Sequence, residues 1–162
     1  MTQAPSNQLF VIDARRDRES AAHRLASLGS AQPLAESESL LLLSIPAENG
    51  DPETRWARIQ ALLGELGTAQ PALVDETGAA HLPTGEISVR FHETQPEARL
   101  REFAAEHGLR LRDRNEFVPQ QAVFRPADLA SSYIPRLLQE LAQTKDTKAV
   151  WANTLTRFHR AY

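Results

Sequence analysis

The chain has 162 residues, of which 41% are hydrophobic and 24% are charged, so it carries enough apolar side chains to bury a core. Its formal net charge of -3 argues against a protein whose main role is to coat nucleic acid. The absence of cysteine excludes disulfides and cysteine-ligated metals, and it fits a reducing compartment.

The N-terminal sequence MTQAPSNQ has neither the basic segment nor the long apolar segment of a signal peptide. The longest apolar run, Leu40 to Leu43, is too short to span a bilayer. We therefore expect a cytoplasmic protein without membrane contact, unless the chain is excised from a secreted precursor.

The first half of the chain predicts the order strand, helix, strand, strand, helix, strand. Asp17 and Asp51 each precede a helical pattern, where an aspartate accepts hydrogen bonds from the N–H groups of the first turn. Pro52 suits the first position of the second helix. The polar residues 75–80 that follow predict a linker. The predicted strands are residues 9–12, 31–35, 39–45 and 69–74.

The second half repeats this order. Ile87, Val89 and Phe91 alternate with polar residues, as in a strand with one buried face. Thr94 and Glu97 have the spacing of a capping box, which predicts the start of the next helix. The remaining strands are predicted around residues 109–111, 122–124 and 150–151, and the last helix around residues 134–141.

A shift of about 78 residues aligns the apolar positions of the two halves. A strand–helix–strand–strand–helix–strand unit of this size is most simply ferredoxin-like, with two helices on one face of an antiparallel sheet. We therefore predict an α+β protein of two tandem ferredoxin-like (βαββαβ) units, at residues 8–76 and 84–158. The aligned pairs include Val11 with Val89, Leu25 with Phe103, Trp56 with Ile134 and Leu63 with Leu141.

The sequence contains no arrangement of residues that indicates a catalytic site. None of the five histidines falls into a metal-ligand spacing, and neither a nucleophile elbow nor a phosphate-binding loop is present. We expect a protein that is not an enzyme and that needs neither a metal nor a cofactor.

Positive charge is concentrated in the second half. Residues 1–80 carry 6 basic and 11 acidic side chains, whereas residues 81–162 carry 12 and 10. Arg110, Arg112 and Arg114 alternate along one predicted strand and would share a face, which Arg90 could join from its own strand. This arginine stripe fits an acidic partner, or equally a solvated edge that prevents aggregation.

Ferredoxin-like sheets can also bind single-stranded RNA through aromatic side chains on their open face. Phe91 and Phe124 are expected to point inward, so the strands lack that signature and nucleic acid is not the expected partner.

Three segments of the second half resemble the N-terminal propeptides of subtilisin-like serine proteases, including the doubled region ahead of some bacterial subtilases. They are PTGEISVRF at residues 83–91, EFAAEHGL at residues 102–109, and NEFVP at residues 115–119 followed by AVF at residues 122–124. The resemblance covers roughly residues 82–155. It implies a ferredoxin-like unit whose open sheet face packs on the protease, acting as a folding chaperone and inhibitor.

The resemblance also implies that the C-terminal tail lies in the active-site cleft of the protease like a product. In this chain the tail is Phe158, His159, Arg160, Ala161 and Tyr162, and Tyr162 would fill an apolar specificity pocket. The expected partner is then a subtilisin-like serine protease, bound in cis or in trans. A frayed terminus is the other reading of these residues.

Two departures from the propeptide pattern keep an alternative open. Many propeptides carry an acidic residue in the last strand, where this chain has Val150 to Asn153. A large apolar group is expected four positions before the cut, where this chain has His159. The alternative is a tandem ferredoxin-like regulatory or interaction protein with another protein partner. The sequence leaves the packing of the halves and the oligomeric state open.

Overall fold

The computed structural model describes residues 3–15, 17–34, 37–47 and 49–155. It is an α+β protein with two antiparallel sheets that form two compact units. The first unit extends to Pro83, and the second runs from Thr84 to Thr154. Leu155 belongs to the first unit again, where its backbone N–H donates to the carbonyl oxygen of Leu82 at 3.0 Å.

The first unit has the ferredoxin-like element order with one additional short strand. Its sheet has the order β2-β3-β1-β4-β5, and its two helices connect the strands as the sequence predicts. The elements are β1 Ala4–Asp13, α1 Arg18–Leu25, β2 Ser30–Pro33, β3 Leu40–Ser44, α2 Pro52–Leu63, a 3-10 turn at Gly64–Leu66, β4 Thr68–Val74 and β5 Ala80–His81.

Both predicted aspartate caps are confirmed. The Asp17 side chain accepts a hydrogen bond from the backbone N–H of Ser20 at 3.0 Å, at the start of α1. The Asp51 side chain accepts from the backbone N–H of Glu53 at 3.4 Å, and Pro52 opens α2. Each carboxylate satisfies a donor that the first helical turn leaves unpaired.

Residues 75–80 form a tight hairpin between β4 and β5 rather than an open linker. Asp75 Oδ1 accepts from the backbone N–H groups of Thr77 at 2.9 Å and Ala79 at 3.1 Å. Asp75 Oδ2 lies 2.7 Å from Nε2 of His81, across the hairpin. One carboxylate therefore organises the whole turn, and it is this turn that adds β5 to the first sheet.

The first sheet is apolar on both faces. Phe10 and Ile12 are buried on the helix side, whereas Val11 lies in a separate cluster on the opposite side. Val89, in contrast, faces the helices of its own unit. The predicted alignment of Val11 with Val89 was therefore wrong by one residue, because a shift of one residue along a strand moves a side chain to the opposite face of the sheet. The second cluster contains Val11, Ala72 and Leu82, with half-buried Leu9, Leu34, Leu40, Leu42, Ala80 and Leu155 packed against them.

The second unit has the ferredoxin-like order without the extra strand. Its sheet has the order β7-β8-β6-β9, which matches the order β2-β3-β1-β4 of the first unit strand for strand. The elements are β6 Pro83–Phe91, α3 Glu97–Glu106, β7 Leu109–Arg114, β8 Gln121–Pro126, a 3-10 turn at Leu129–Ser131, α4 Ile134–Ala142 and β9 Thr147–Thr154.

Three phenylalanine rings form the centre of the second core. The ring of Phe103 on α3 lies 5.1 Å from that of Phe91 and 5.3 Å from that of Phe124, between centroids. Ile87, Val89 and Phe91 are all buried, which confirms the predicted alternation of β6. The predicted capping box was wrong, because α3 has Pro96 at its N-cap and no side chain caps it.

Candidate binding face of the second unit

The second sheet turns its apolar side chains to α3 and α4 and its polar side chains to the other side. Because successive residues of a strand point to opposite faces, the residues between the buried ones define this second surface. We call it the polar face. Its residues are Glu86, Ser88, Arg90, Arg110, Arg112, Asp113, Gln121, Val123, Arg125, Trp151 and Asn153.

Arg90 and Trp151 form the structured end of the polar face. The guanidinium carbon of Arg90 lies 5.8 Å from the centroid of the Trp151 ring, which is the geometry of a cation–π contact. Arg90 Nη2 also donates to Oε1 of Gln121 at 3.2 Å. Arg90 Nε is buried and has no hydrogen-bond partner within the described parts of the chain. The arginine is therefore held in one orientation with a donor still unused.

A second hydrogen-bonded group fixes β9 beside β6. The hydroxyl of Ser88 donates to Oδ1 of Asn153 at 2.7 Å, and Ser88 is only 3% exposed. The hydroxyl of Thr84 donates to the Asn153 carbonyl oxygen at 3.2 Å. These side-chain hydrogen bonds hold the edge strand that carries Trp151. They fix the position of the indole in addition to the backbone hydrogen bonds between the strands.

The other end of the polar face has excess positive charge. Arg110 on β7 is directly opposite Arg125 on β8, and both are exposed. Like charges in directly opposed positions repel each other. Arg112 Nε lies 3.4 Å from Oε1 of Glu86, and in the part of the chain that the structure describes neither Arg110 nor Arg125 has a carboxylate within 4.0 Å. An acidic group on a partner would relieve this repulsion.

The structure does not bring Arg114 together with the other arginines of the predicted stripe. The pairing of β7 with β8 shifts between Leu111 and Asp113, and the shift places Arg114 opposite the buried Ala122. Arg114 Nη2 donates instead to the carbonyl oxygen of Gln95, ahead of α3, at 3.0 Å. A β-bulge of this kind reverses the facing of every residue beyond it.

The hairpin loop between β7 and β8 presents an exposed aromatic side chain. Phe117 is 92% exposed. Oδ1 of Asn115 accepts from the backbone N–H groups of Phe117 at 2.9 Å and Val118 at 3.1 Å, which fixes the turn. The backbone N–H of Gln121 donates to the Val118 carbonyl oxygen at 2.9 Å, so the loop adjoins the end of the sheet where Gln121 binds Arg90.

Sequence reasoning missed Trp151, Arg125 and Phe117 as members of this region. Trp151 follows the core residue Val150, and Arg125 follows the core residue Phe124, so strand alternation was the available signal for both. For Phe117 the available signal was Asn115, a residue typical of turns, which predicts that Phe117 lies in an exposed loop.

The five predicted tail residues, Phe158, His159, Arg160, Ala161 and Tyr162, lie outside the described residues. Their role in a protease cleft stays a prediction. Within the described ranges, no cluster of three or more metal-ligating side chains is present. A search of the same residues found no helix with the length and hydrophobicity to cross a membrane.

No protein-family model and no curated protein matches the chain. Among solved structures, the chain is similar to the small subunit of acetolactate synthase from Thermotoga maritima. The two share 17% sequence identity over 98% of this chain and 100% of the other, with a TM-score of 0.28. A similarity of this extent assigns neither activity nor partner to the chain.

Proposed function

We propose that the chain is a non-catalytic protein-binding module that contacts its partner through the polar face of the second unit. The observation that carries this proposal is the Arg90–Trp151 contact, flanked by Arg110 and Arg125, which have no carboxylate partner among the residues that the structure describes. Tryptophan and arginine are the residues that most often dominate binding energy at protein interfaces. Here both are oriented before a partner arrives, which lowers the entropy cost of binding.

The finer proposal is that the partner is a subtilisin-like serine protease, which the chain inhibits or helps to fold. Its support is the resemblance of residues 82–155 to subtilase propeptides, together with the ferredoxin-like order that such a resemblance implies. In that arrangement the polar face packs on the protease and the tail enters the cleft, where an extended segment pairs with the edges of the substrate site.

The two parts of this mechanism make separable contributions. The polar face supplies affinity at a distance from the cleft, and the tail from Phe158 to Tyr162 supplies competition with substrate. A chain that ends at Arg157 should therefore still bind the protease but should no longer inhibit it.

The test is inhibition and direct binding of several subtilisin-type proteases by the intact chain, the chain ending at Arg157, and the Trp151→Ala variant. We expect the truncation to abolish inhibition and to leave binding measurable. Trp151→Ala should weaken binding by roughly 30-fold, the effect of a hot-spot truncation. Arg101→Ala on the exposed surface of α3 is the matched control and should bind like the intact chain.

Rapid digestion of the intact chain by every protease, without inhibition, would overturn the finer proposal. It would leave a tandem ferredoxin-like regulatory or interaction protein with another protein partner. One observation favours this second candidate: Trp151 and Asn153 occupy the last strand, where many propeptides carry an acidic residue. The polar-face variants would then be compared for their ability to recover that partner from an extract.

A further inference from the structure

A cavity of about 290 Å³ lies in the first unit, between the end of α1, the end of β3 and the exposed side of α2. Gly29 makes this arrangement possible, because a Cβ there would collide with the carbonyl oxygen of Ser44 and with Ile45. The close approach sets Leu28 beside Ile45 in the cavity wall. The lining residues are Ser27, Leu28, Ile45, Pro46, Ala47, Arg55, Arg58 and Ile59.

A smaller cavity shares two of these residues. It has a volume of about 110 Å³ and is lined by Asn49, Gly50, Asp51 and Thr54, together with Arg55 and Arg58. The two arginines therefore line both cavities. They are three residues apart on α2 and lie on the same side of the helix.

Among the described residues around the two cavities, positive charge is left available. Arg55 Nη1 donates to the carbonyl oxygen of Asn7 at 2.9 Å, which anchors that side chain. Arg58 is exposed. The carboxylate of Asp51 is engaged at the start of α2, by the backbone N–H of Glu53 and by the hydroxyl of Thr54 at 3.3 Å. Arg58 is thus the group in this wall that is placed to receive an anion.

We propose that the larger cavity binds a small amphipathic carboxylic acid, with its hydrocarbon group against Leu28, Pro46 and Ala47 and its carboxylate on Arg58. Apolar walls with a few placed polar groups are typical of small-molecule sites. The volume equals that of roughly ten water molecules at about 30 Å³ each, which is enough for a small organic acid. A free acid and the last residue of a peptide offer the same chemistry.

The test is a titration of the full chain with 4-methylpentanoate, followed by amide chemical shifts in solution. We expect saturable shifts at Leu28, Ala47 and Arg58, with a Kd of roughly 0.1–1 mM. The neutral 4-methylpentanamide should bind at least about tenfold more weakly, because it lacks the charge, and so should acetate, because it lacks the hydrocarbon. The peptide acetyl-Gly-Gly-Leu separates a chain terminus from a free acid as the source of the carboxylate.

Two variants and one control locate the site. Arg58→Gln should weaken binding of 4-methylpentanoate at least about tenfold, and Ser27→Phe should abolish binding by filling the cavity. Arg101→Gln on α3 removes an exposed helical arginine elsewhere and should leave the Kd unchanged. The amide spectrum of each variant shows directly whether the chain is folded.

Equal shifts with the acid and its amide, or undiminished binding by Arg58→Gln, would overturn this proposal. So would the absence of saturable shifts from either the acid or the peptide. These outcomes leave the proposed protease contact unaffected, because that contact uses the second unit and is measured by inhibition.

Discussion

The contact between Arg90 and Trp151 can be measured by a double-mutant cycle. The variants are Arg90→Met, Trp151→Leu and both together; methionine keeps much of the arginine stem without its charge. Cation–π contacts contribute about 0.5–1 kcal/mol when exposed and about 2 kcal/mol when desolvated. Both side chains are half-buried and 5.8 Å apart, so we expect a coupling free energy of about 1 kcal/mol.

The assay is native-state hydrogen exchange at the amides of β6, which reports opening of the second unit separately from the first. Arg90→Met alone should lower the free energy of opening of the second unit less than Trp151→Leu alone. The reason is that Arg90→Met also removes the buried Nε that has no partner within the described residues. Arg90→Lys should lose most of the coupling, since an ammonium lacks the planar surface that stacks on indole. A coupling below about 0.5 kcal/mol, which independent sites can also show, would mean that the geometry is incidental and would remove the main support for a pre-oriented anchor.

Three further predictions concern the fold. Phe103→Ala should destabilise the second unit by about 3–5 kcal/mol, measured by hydrogen exchange in that unit, because the ring is 1% exposed and contacts two other rings; equal loss of protection in both units would contradict this. Gly108→Ala should cost about 1 kcal/mol in urea denaturation, because φ at Gly108 is 67°; an unchanged midpoint would refute the strain argument. The hydrogen bonds from His81 and Thr77 lower the pKa of Asp75 from 3.8, so its stabilising effect is complete above that value and declines as the pH falls below it. The Tm difference between the intact chain and Asp75→Ala should therefore be largest near neutral pH and narrow in acid; a difference independent of pH would show that charge is not the cause.

Local features of the sequence predicted most of the fold. Asp17, Asp51 and the β6 alternation are signals that act within a few residues, and the structure confirms each of them. The capping box at Thr94 failed because Pro96 disfavours a helical backbone at Gln95, which would be the first helical residue after a cap at Thr94; the helix starts after Pro96 instead, where φ is -66° and ψ is 155°. A local motif therefore predicts an element well only where no stronger local constraint competes.

The binding face was harder to predict because it depends on strand register. The bulge beyond Leu111 removes Arg114 from the polar face, and the residues around it contain no local pattern that predicts the shift. Trp151 contacts Arg90 across a distance of 61 positions, which only the pairing of β9 with β6 brings together. The sequence showed that arginines alternate along β7, but which of them lie on the polar face could be known only from the strand register.

The two units use one topology for surfaces of different chemistry. At the side of the sheet away from the helices, the first unit has Leu9 and Leu42, whereas the second has Ser88 and Arg90. Residues 84–154 carry 10 basic and 10 acidic side chains, so the positive charge of the second unit is local to the polar face, which carries Arg90, Arg110, Arg112 and Arg125. An acidic protein surface is therefore attracted to the polar face before any contact forms, and such steering raises association rates at low ionic strength. If the polar face is the docking surface, the association rate should fall with added salt, while Trp151→Ala should act mainly on the dissociation rate. An association rate insensitive to salt would place the contact elsewhere on the chain.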